Sequence, residues 1–168
     1  REYQNIKIDK SKKRKMLGLC DDDFVCIAMG DLVKRKNYQM AIQGIAKCNN
    51  SKIHYLICGV GPELDNLKKL SKKLSIENQI HFLGYRTDIK ELLAVSDCFL
   101  FTSLQEGLPR SLMEAMAVGL PCIVSKIRGN VDLIHKDFEL IENADQLEKK
   151  LDFLFEKANI RCELAHDN

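Results

Sequence analysis

The chain has 168 residues, with 26 Lys plus Arg against 24 Asp plus Glu, a formal charge of +2, seven Cys, three Pro and no Trp. At roughly 150 residues per domain, one domain over residues 1–168 is expected, and a chain of this size buries about 70% of the surface its unfolded form exposes. Charged residues make up 30% and are balanced in sign, which excludes a disordered charged tail and a domain-wide basic field for nucleic acid; any phosphate binding must be local.

In chain order, the basic run KKRK at 12–15 falls on a short helix ending at Gly18 and reads as a solvated face. Apolar runs then alternate with helical segments, as in βαβ units. Phe24 to Met29 is followed by a helix from Tyr38 to Lys47, and Ile53 to Cys58 by a helix from Pro62 to about Leu74 with Leu64, Leu67, Leu70 and Leu74 at three- and four-residue spacing. Ile80 to Leu83 precedes Ile89 to Val95, and Cys98 to Thr102 precedes a helix after Pro109. Cys122 to Ser125 leads into a short segment at Val131 to Ile134, then an edge strand at Phe138 to Ile141 and an amphipathic helix from Ala144 to Lys157. The strands are nearly continuously apolar, the pattern of strands covered on both faces. The predicted fold is therefore α/β, a Rossmann-like doubly wound parallel sheet of about six strands flanked by helices.

No run reaches about 18 consecutive apolar residues and no secretory leader is visible, so a cytoplasmic protein is expected. The cysteines at 20, 26, 48, 58, 98, 122 and 162 form no CxxC pair, and most sit in apolar runs as small buried hydrophobes of a reducing compartment. The histidines at 54, 81, 135 and 166 are scattered, and no metal ligand set is predicted. The chain opens on Arg1 rather than Met, which suggests a piece of a longer protein.

Ligands of doubly wound sheets bind outside the carboxyl ends of the strands. Three turns there stand out: GDLVKRKN at 30–37, GVGP at 59–62 and SLQEGLPR at 103–110. GVGP lacks the third glycine of a dinucleotide fingerprint and reads as turn chemistry. The block EGLPRSLMEAMAVGLPCIVS, 106–125, carries the strongest signal. After a turn at Gly107, Pro109 is placed at the first helical position, with a helix from Arg110 to Val118 stopped by Gly119. Its free N–H groups and positive dipole end suit a phosphate or diphosphate. Glu106 lies just before this terminus and Glu114 one turn inside, on the face of Arg110 and Ser111, leaning back towards the same crevice. Two carboxylates beside an anion site serve best as acceptors for ligand hydroxyls, although one acid near a helix start is commonly only a dipole partner.

This block resembles the signature of the family-4 retaining glycosyltransferases of GT-B type, two glutamates separated by seven residues in an EGLP-to-EAMA-G-P stretch. GDLVKRKNY, HYLICGVGPELDNL, IHFLGYRTDIKELLAVSDCFLFTS and SKIRGNVDLI follow the family in order, so the resemblance spans residues 28–134. It implies the C-terminal, donor-binding half of a GT-B fold, most similar to bacterial enzymes of capsule and exopolysaccharide assembly, with the N-terminal acceptor-binding domain absent from this chain.

By this resemblance Glu106 contacts hydroxyls of the donor sugar and Glu114 the ribose of the nucleotide. Main-chain N–H groups around Gly107, Leu108, Arg110 and Ser111 hold the diphosphate or sugar, and Lys36 neutralises the diphosphate leaving group. Leu83 and Gly84 lie against the base through main-chain groups. Many relatives carry Arg directly after the glycine that ends the first strand, here Gly30; this chain has Asp31, so Arg35 or Lys34 must supply the second charge, or binding rests more on Lys36 and the helix end. A glycine-rich turn usual after VDLI is missing. The implied reaction is retaining, metal-independent transfer from a nucleoside diphosphate sugar, UDP-sugar by family precedent, to a glycan or lipid-linked acceptor held by the absent domain, with the full-length protein peripheral at the inner face of the membrane. A nucleotide-sugar epimerase of GT-B type and a non-catalytic nucleotide-binding or interaction module remain the alternatives.

Overall fold

Burial on both faces is the reason this sequence makes a parallel sheet. In the computed structural model, which describes residues 8–157, strand β1 (Phe24–Met29) is buried at every position. Its alternate residues feed two separate cores: Phe24, Cys26 and Ala28 face one, and Val25, Ile27 and Met29 the other, as the period of two requires. The remaining strands are β2 (Ile53–Cys58), β3 (Ile80–Gly84), β4 (Cys98–Phe101), β5 (Cys122–Ser125) and β6 (Leu140–Ile141). All pair in parallel, in the order β3-β2-β1-β4-β5-β6.

The helices are α1 (Lys10–Met16), α2 (Tyr38–Cys48), α3 (Leu64–Lys73), α4 (Ile89–Val95), α5 (Arg110–Val118), α6 (Arg128–Val131) and α7 (Ala144–Glu156). Helices α2, α3 and α7 contribute to the first core through Ile42, Ile45, Leu67, Leu147 and Leu151, and α4 and α5 to the second through Leu92, Leu93, Leu112 and Ala115. Gly44 lets α2 and α7 approach: a Cβ there would lie 2.7 Å from Leu147 Cδ2. The chain order reverses between β1 and β4, so the turns after these two strands open a crevice at one edge of the sheet.

Six elements depart from the sequence reading. The α3 helix begins at Leu64 rather than Pro62 because the Glu63 N–H is given to Leu32 O at 2.9 Å, holding residues 61–63 in a turn. Strand β4 stops at Phe101, and the Thr102 hydroxyl turns to donate to Asn37 O at 2.9 Å. Pro109 is the residue before α5, with ψ at 80°, and not its first helical residue. Helix α6 precedes the expected 131–134 segment because Asn130, fully buried, anchors it through Nδ2 to Ser125 O at 2.9 Å. Only Leu140–Ile141 pair as β6, since Asp137–Glu139 form a 3-10 turn that places Phe138 against Phe153.

The sixth departure concerns the basic run. Lys12 and Lys15 are exposed as expected, but Arg14 is 3% exposed. Its guanidinium donates to Val95 O at 2.9 Å, Asp21 O at 3.1 Å, Asp23 O at 2.9 Å and Asp97 Oδ2 at 2.6 Å. Asp97 Oδ2 also accepts the Val25 N–H at 2.8 Å, so Arg14 bolts α1 to the start of β1 and the end of α4. Lys13 reaches Asp88 at 2.7 Å and also pairs with Glu91. Cys26, Cys58, Cys98 and Cys122 are buried free thiols and Cys20 is an exposed one; Cys162 and His166 lie outside the described residues. No helix among those residues is long and apolar enough to cross a membrane.

Two outcomes follow. Arg14→Ala leaves Asp97 with only the Val25 N–H and Lys10 and three carbonyls without the guanidinium, and should lower stability by about 3–5 kcal/mol, read from the urea midpoint, whereas Lys12→Ala should change it by less than about 0.5 kcal/mol. His54 Nδ1 and His81 Nε2 lie 2.9 Å apart, and burial holds both imidazoles below their usual pKa of 6.5. The unfolded chain therefore takes up protons first as pH falls, so stability is full above about pH 6.5 and declines below it. Urea midpoints at pH 7.5 and 5.5 check this; His81→Leu should flatten the difference.

Candidate functional site

The crevice is built from the turns that follow β1 and β4, and both are locked by main-chain bonds. Gly30, with φ at 145°, ends β1. Its carbonyl accepts the Tyr38 hydroxyl at 3.0 Å, and a Cβ at this position would stand 3.4 Å from Lys36 Cε and from the Tyr38 hydroxyl. Absence of a side chain at 30 therefore leaves room for Lys36 to fold back over the strand end. The 3-10 turn Lys34–Lys36 is closed by Asn37 in the left-handed region. Across the crevice, the Leu104 N–H donates to Arg35 O at 2.8 Å and Thr102 Oγ1 to Lys36 O at 3.3 Å.

GVGP at 59–62 supports this arrangement from behind, as turn chemistry. A Cβ on Gly59 would come within 1.9 Å of Gly30 O, and one on Gly61 within 2.5 Å of Leu32 O. The Leu32 N–H is donated to Val60 O at 2.9 Å. These glycines let the turn after β2 lie flat on the turn after β1.

Three charged side chains meet at the crevice. Lys36 Nζ lies 2.8 Å from Glu106 Oε1 and 4.9 Å from the centre of the Phe101 ring. Arg35 Nη1 reaches the same carboxylate oxygen at 3.0 Å and also donates to Gln105 O at 2.7 Å. The Lys36 and Glu106 side chains are 14% and 9% exposed, while Arg35 is 49% exposed. Burial pushes the Glu106 carboxyl upward, but the Lys36 hydrogen bond and the charges of Lys36 and Arg35 outweigh it and hold the group below its ordinary value. Lys34 lines a separate 300 Å³ cavity with Val33, Tyr38, Glu63 and Leu67. Of the two candidates for the charge missing at Asp31, the structure thus brings Arg35, and not Lys34, to Lys36.

Helix α5 starts at the same edge. The Leu112 and Met113 N–H groups both turn to Pro109 O, at 3.0 and 3.2 Å. The Arg110 N–H is given to Leu108 O at 3.0 Å, so this main-chain donor, expected to face a ligand, is already used. Gly107, Leu108 and Ser111 keep main-chain N–H groups with no acceptor among the described residues. Leu108 and Arg110 are exposed and Ser111 half-buried. The Glu114 side chain, half-buried in the second turn of α5, makes no hydrogen bond or ion pair among the described residues.

Leu83 and Gly84 lie on the same edge of the sheet but on β3, two strands from β1. Gly84 has φ at 67°, and its carbonyl accepts the Gly59 N–H at 2.8 Å, so that acceptor is engaged within the protein. They are separate from the Lys36, Arg35 and Glu106 cluster. The one group of potential metal ligands among the described residues, Cys20, Asp22 and Asp23 within 4.8 Å of one another, precedes β1 at the opposite edge of the sheet. Asp22 there is paired with Lys52, and Asp23 accepts the Cys20 N–H at 2.7 Å.

Gly129 has a role the sequence reading did not assign. A Cβ on it would stand 2.8 Å from Glu106 O and from Gly107 O, so α6 backs the Glu106 turn at van der Waals distance. The glycine inside SKIRGN was the available signal.

Comparison with known proteins places this geometry in a family. The profile described as glycosyl transferases group 1 matches residues 9–167. Among characterised proteins, the Escherichia coli UDP-Gal:alpha-D-GlcNAc-diphosphoundecaprenol alpha-1,3-galactosyltransferase is 36% identical over 140 residues, 79% of this chain and 36% of that protein. The Bacillus anthracis N-acetyl-alpha-D-glucosaminyl L-malate synthase is 34% identical over 130 residues, 77% of this chain and 34% of that protein. The chain thus spans about a third of the length of these relatives. Among solved structures, Anabaena Alr3699/HepE in complex with UDP and glucose superposes with a TM-score of 0.85 at 27% identity, over 93% of this chain and 45% of that one. The catalytic domain of the Helicobacter pylori cholesterol-alpha-glucosyltransferase shares the fold, with a TM-score of 0.80 at 22% identity, over 86% of this chain and 93% of that one. The six-stranded parallel sheet is that of the GT-B glycosyltransferases, and the chain belongs to the glycosyl transferases group 1 family.

Proposed function

We propose that this chain is the donor-binding half of a glycosyltransferase, taking a nucleoside diphosphate sugar, UDP-sugar first, into the crevice between the turns after β1 and β4. The observation that carries this reading is the convergence of Lys36, Arg35 and Glu106 beside the start of α5. Similarity to a protein solved with UDP and glucose supports the choice of nucleotide.

In this reading the diphosphate lies against Lys36 and Arg35, with the N–H groups of Gly107, Leu108 and Ser111 as further donors. Negative charge grows on the diphosphate as the bond to the anomeric carbon breaks. Fixed cations and dipoles aimed at that charge stabilise it without reorganising, and they supply the positive field from the protein itself, so transfer proceeds without a metal. Glu106 accepts hydrogen bonds from the sugar's hydroxyls, Glu114 from the ribose, and the main chain at Leu83 and Gly84 lies against the base. The acceptor, a glycan or a lipid-linked sugar as in the E. coli relative's name, is held by a second domain that this chain does not include, and transfer proceeds with retention in bacterial capsular or extracellular polysaccharide assembly. The site in the whole protein works from the cytoplasmic side, at the inner face of the membrane.

Calorimetric titration with UDP, GDP and ADP tests the reading. UDP should bind with a Kd between about 1 µM and 1 mM. Lys36→Ala should weaken it about tenfold or more, the scale of a lost charge-assisted hydrogen bond, and Glu114→Ala several-fold, with melting curves confirming that both variants fold. Absence of binding by every nucleotide would leave the crevice without a donor role. Gly129→Ala should also weaken UDP binding, because its Cβ pushes on Glu106 O and Gly107 O and shifts the Gly107 and Leu108 N–H groups assigned to the diphosphate.

A further inference from the structure

We infer that Glu106 competes with the donor's diphosphate for Lys36, and that this competition makes the crevice select a nucleotide still carrying its sugar over the bare nucleotide. The inference rests on the donor-site reading above and adds a discrimination step to it. Lys36 and Arg35 are both already engaged by one oxygen of Glu106, at 2.8 and 3.0 Å. The carboxylate occupies the place an incoming anion needs. The Lys36 ammonium has three N–H donors, but a phosphate oxygen drawn onto it repels the carboxylate beside it, so diphosphate binding pushes Glu106 off Lys36.

The displaced group has few places to go. Its side chain is 9% exposed, with Gly129 packed against the backbone of its turn and Phe101 under the Lys36 ammonium. A largely buried carboxylate that loses its cation is destabilised unless new donors replace it. Sugar hydroxyls are such donors, and a nucleotide without its sugar brings none to this position. A sugar nucleotide therefore compensates the broken ion pair, while a bare nucleoside diphosphate leaves Glu106 uncompensated. After transfer the sugar departs, Glu106 recovers Lys36 and the nucleotide is expelled. A carboxylate that merely tied the two turns together would have no such effect on ligand choice.

The test compares UDP and UDP-glucose binding by the wild type, Glu106→Gln and Glu106→Ala, with melting curves run in parallel so that at least one folded variant is read. In the wild type, UDP-glucose should bind more tightly than UDP. Removing the charge frees Lys36, so both variants should bind UDP about tenfold more tightly than the wild type, and the advantage of UDP-glucose over UDP should vanish. UDP binding unchanged or weakened in the variants, with the wild type binding normally, overturns the competition and leaves the donor site standing. No nucleotide binding by any of the three proteins overturns the donor site and the competition together.

Discussion

The ion pair between Lys36 and Glu106 is where the two halves of the sheet meet. It joins the turn after β1 to the turn after β4, neighbours only because the strand order reverses between them. Its setting is fixed by hydrogen bonds to main-chain carbonyls: the Leu104 N–H on Arg35 O, the Thr102 hydroxyl on Asn37 O and the Tyr38 hydroxyl on Gly30 O. Glycines at 59 and 61 let the next turn press against the first, and Gly129 supports the second from the far side. The crevice is thus held by main-chain contacts that leave its charged side chains available to exchange partners.

The same arrangement is how a nearly neutral chain would form the anion site proposed above. Its +2 overall charge gives no long-range field, but Lys36 is 14% exposed and positioned over an aromatic ring, where a charge is screened less than at the surface. Arg35 adds a second, more accessible cation. Asp31, exposed beside Gly30, adds no cation there, whereas Arg35 reaches Glu106. Positive charge is balanced by the carboxylate of Glu106 until something else balances it.

Much of the fold was legible because it follows from periodicity. The nearly continuous apolar runs at 24–29, 53–58 and 122–125 match β1, β2 and β5 residue for residue, since a strand buried on both faces has few alternatives. Boundaries set by long-range hydrogen bonds were not legible: the start of α3 depends on Leu32 O, the end of β4 on Asn37 O, and α6 on Ser125 O. Arg14 shows the same limit, since nothing in KKRK says which of four cations will meet Asp97. At the site, Lys36 and Glu106 could be placed by motif, but their mutual contact could not, because they lie 70 positions apart. Gly129 was unassigned for the same reason, its partners being the carbonyls of Glu106 and Gly107.

In the proposed mode one crevice holds the diphosphate and the sugar, with Lys36 passing from Glu106 to the ligand. A crystal structure of the chain soaked with UDP-glucose tests it most directly. Diphosphate oxygens should lie within hydrogen-bond distance of Lys36 Nζ and of the α5 start, with Glu106 turned from Lys36 onto the sugar's hydroxyls. A bound nucleotide with the Lys36 to Glu106 contact still at its 2.8 Å, and its phosphates elsewhere, would contradict it.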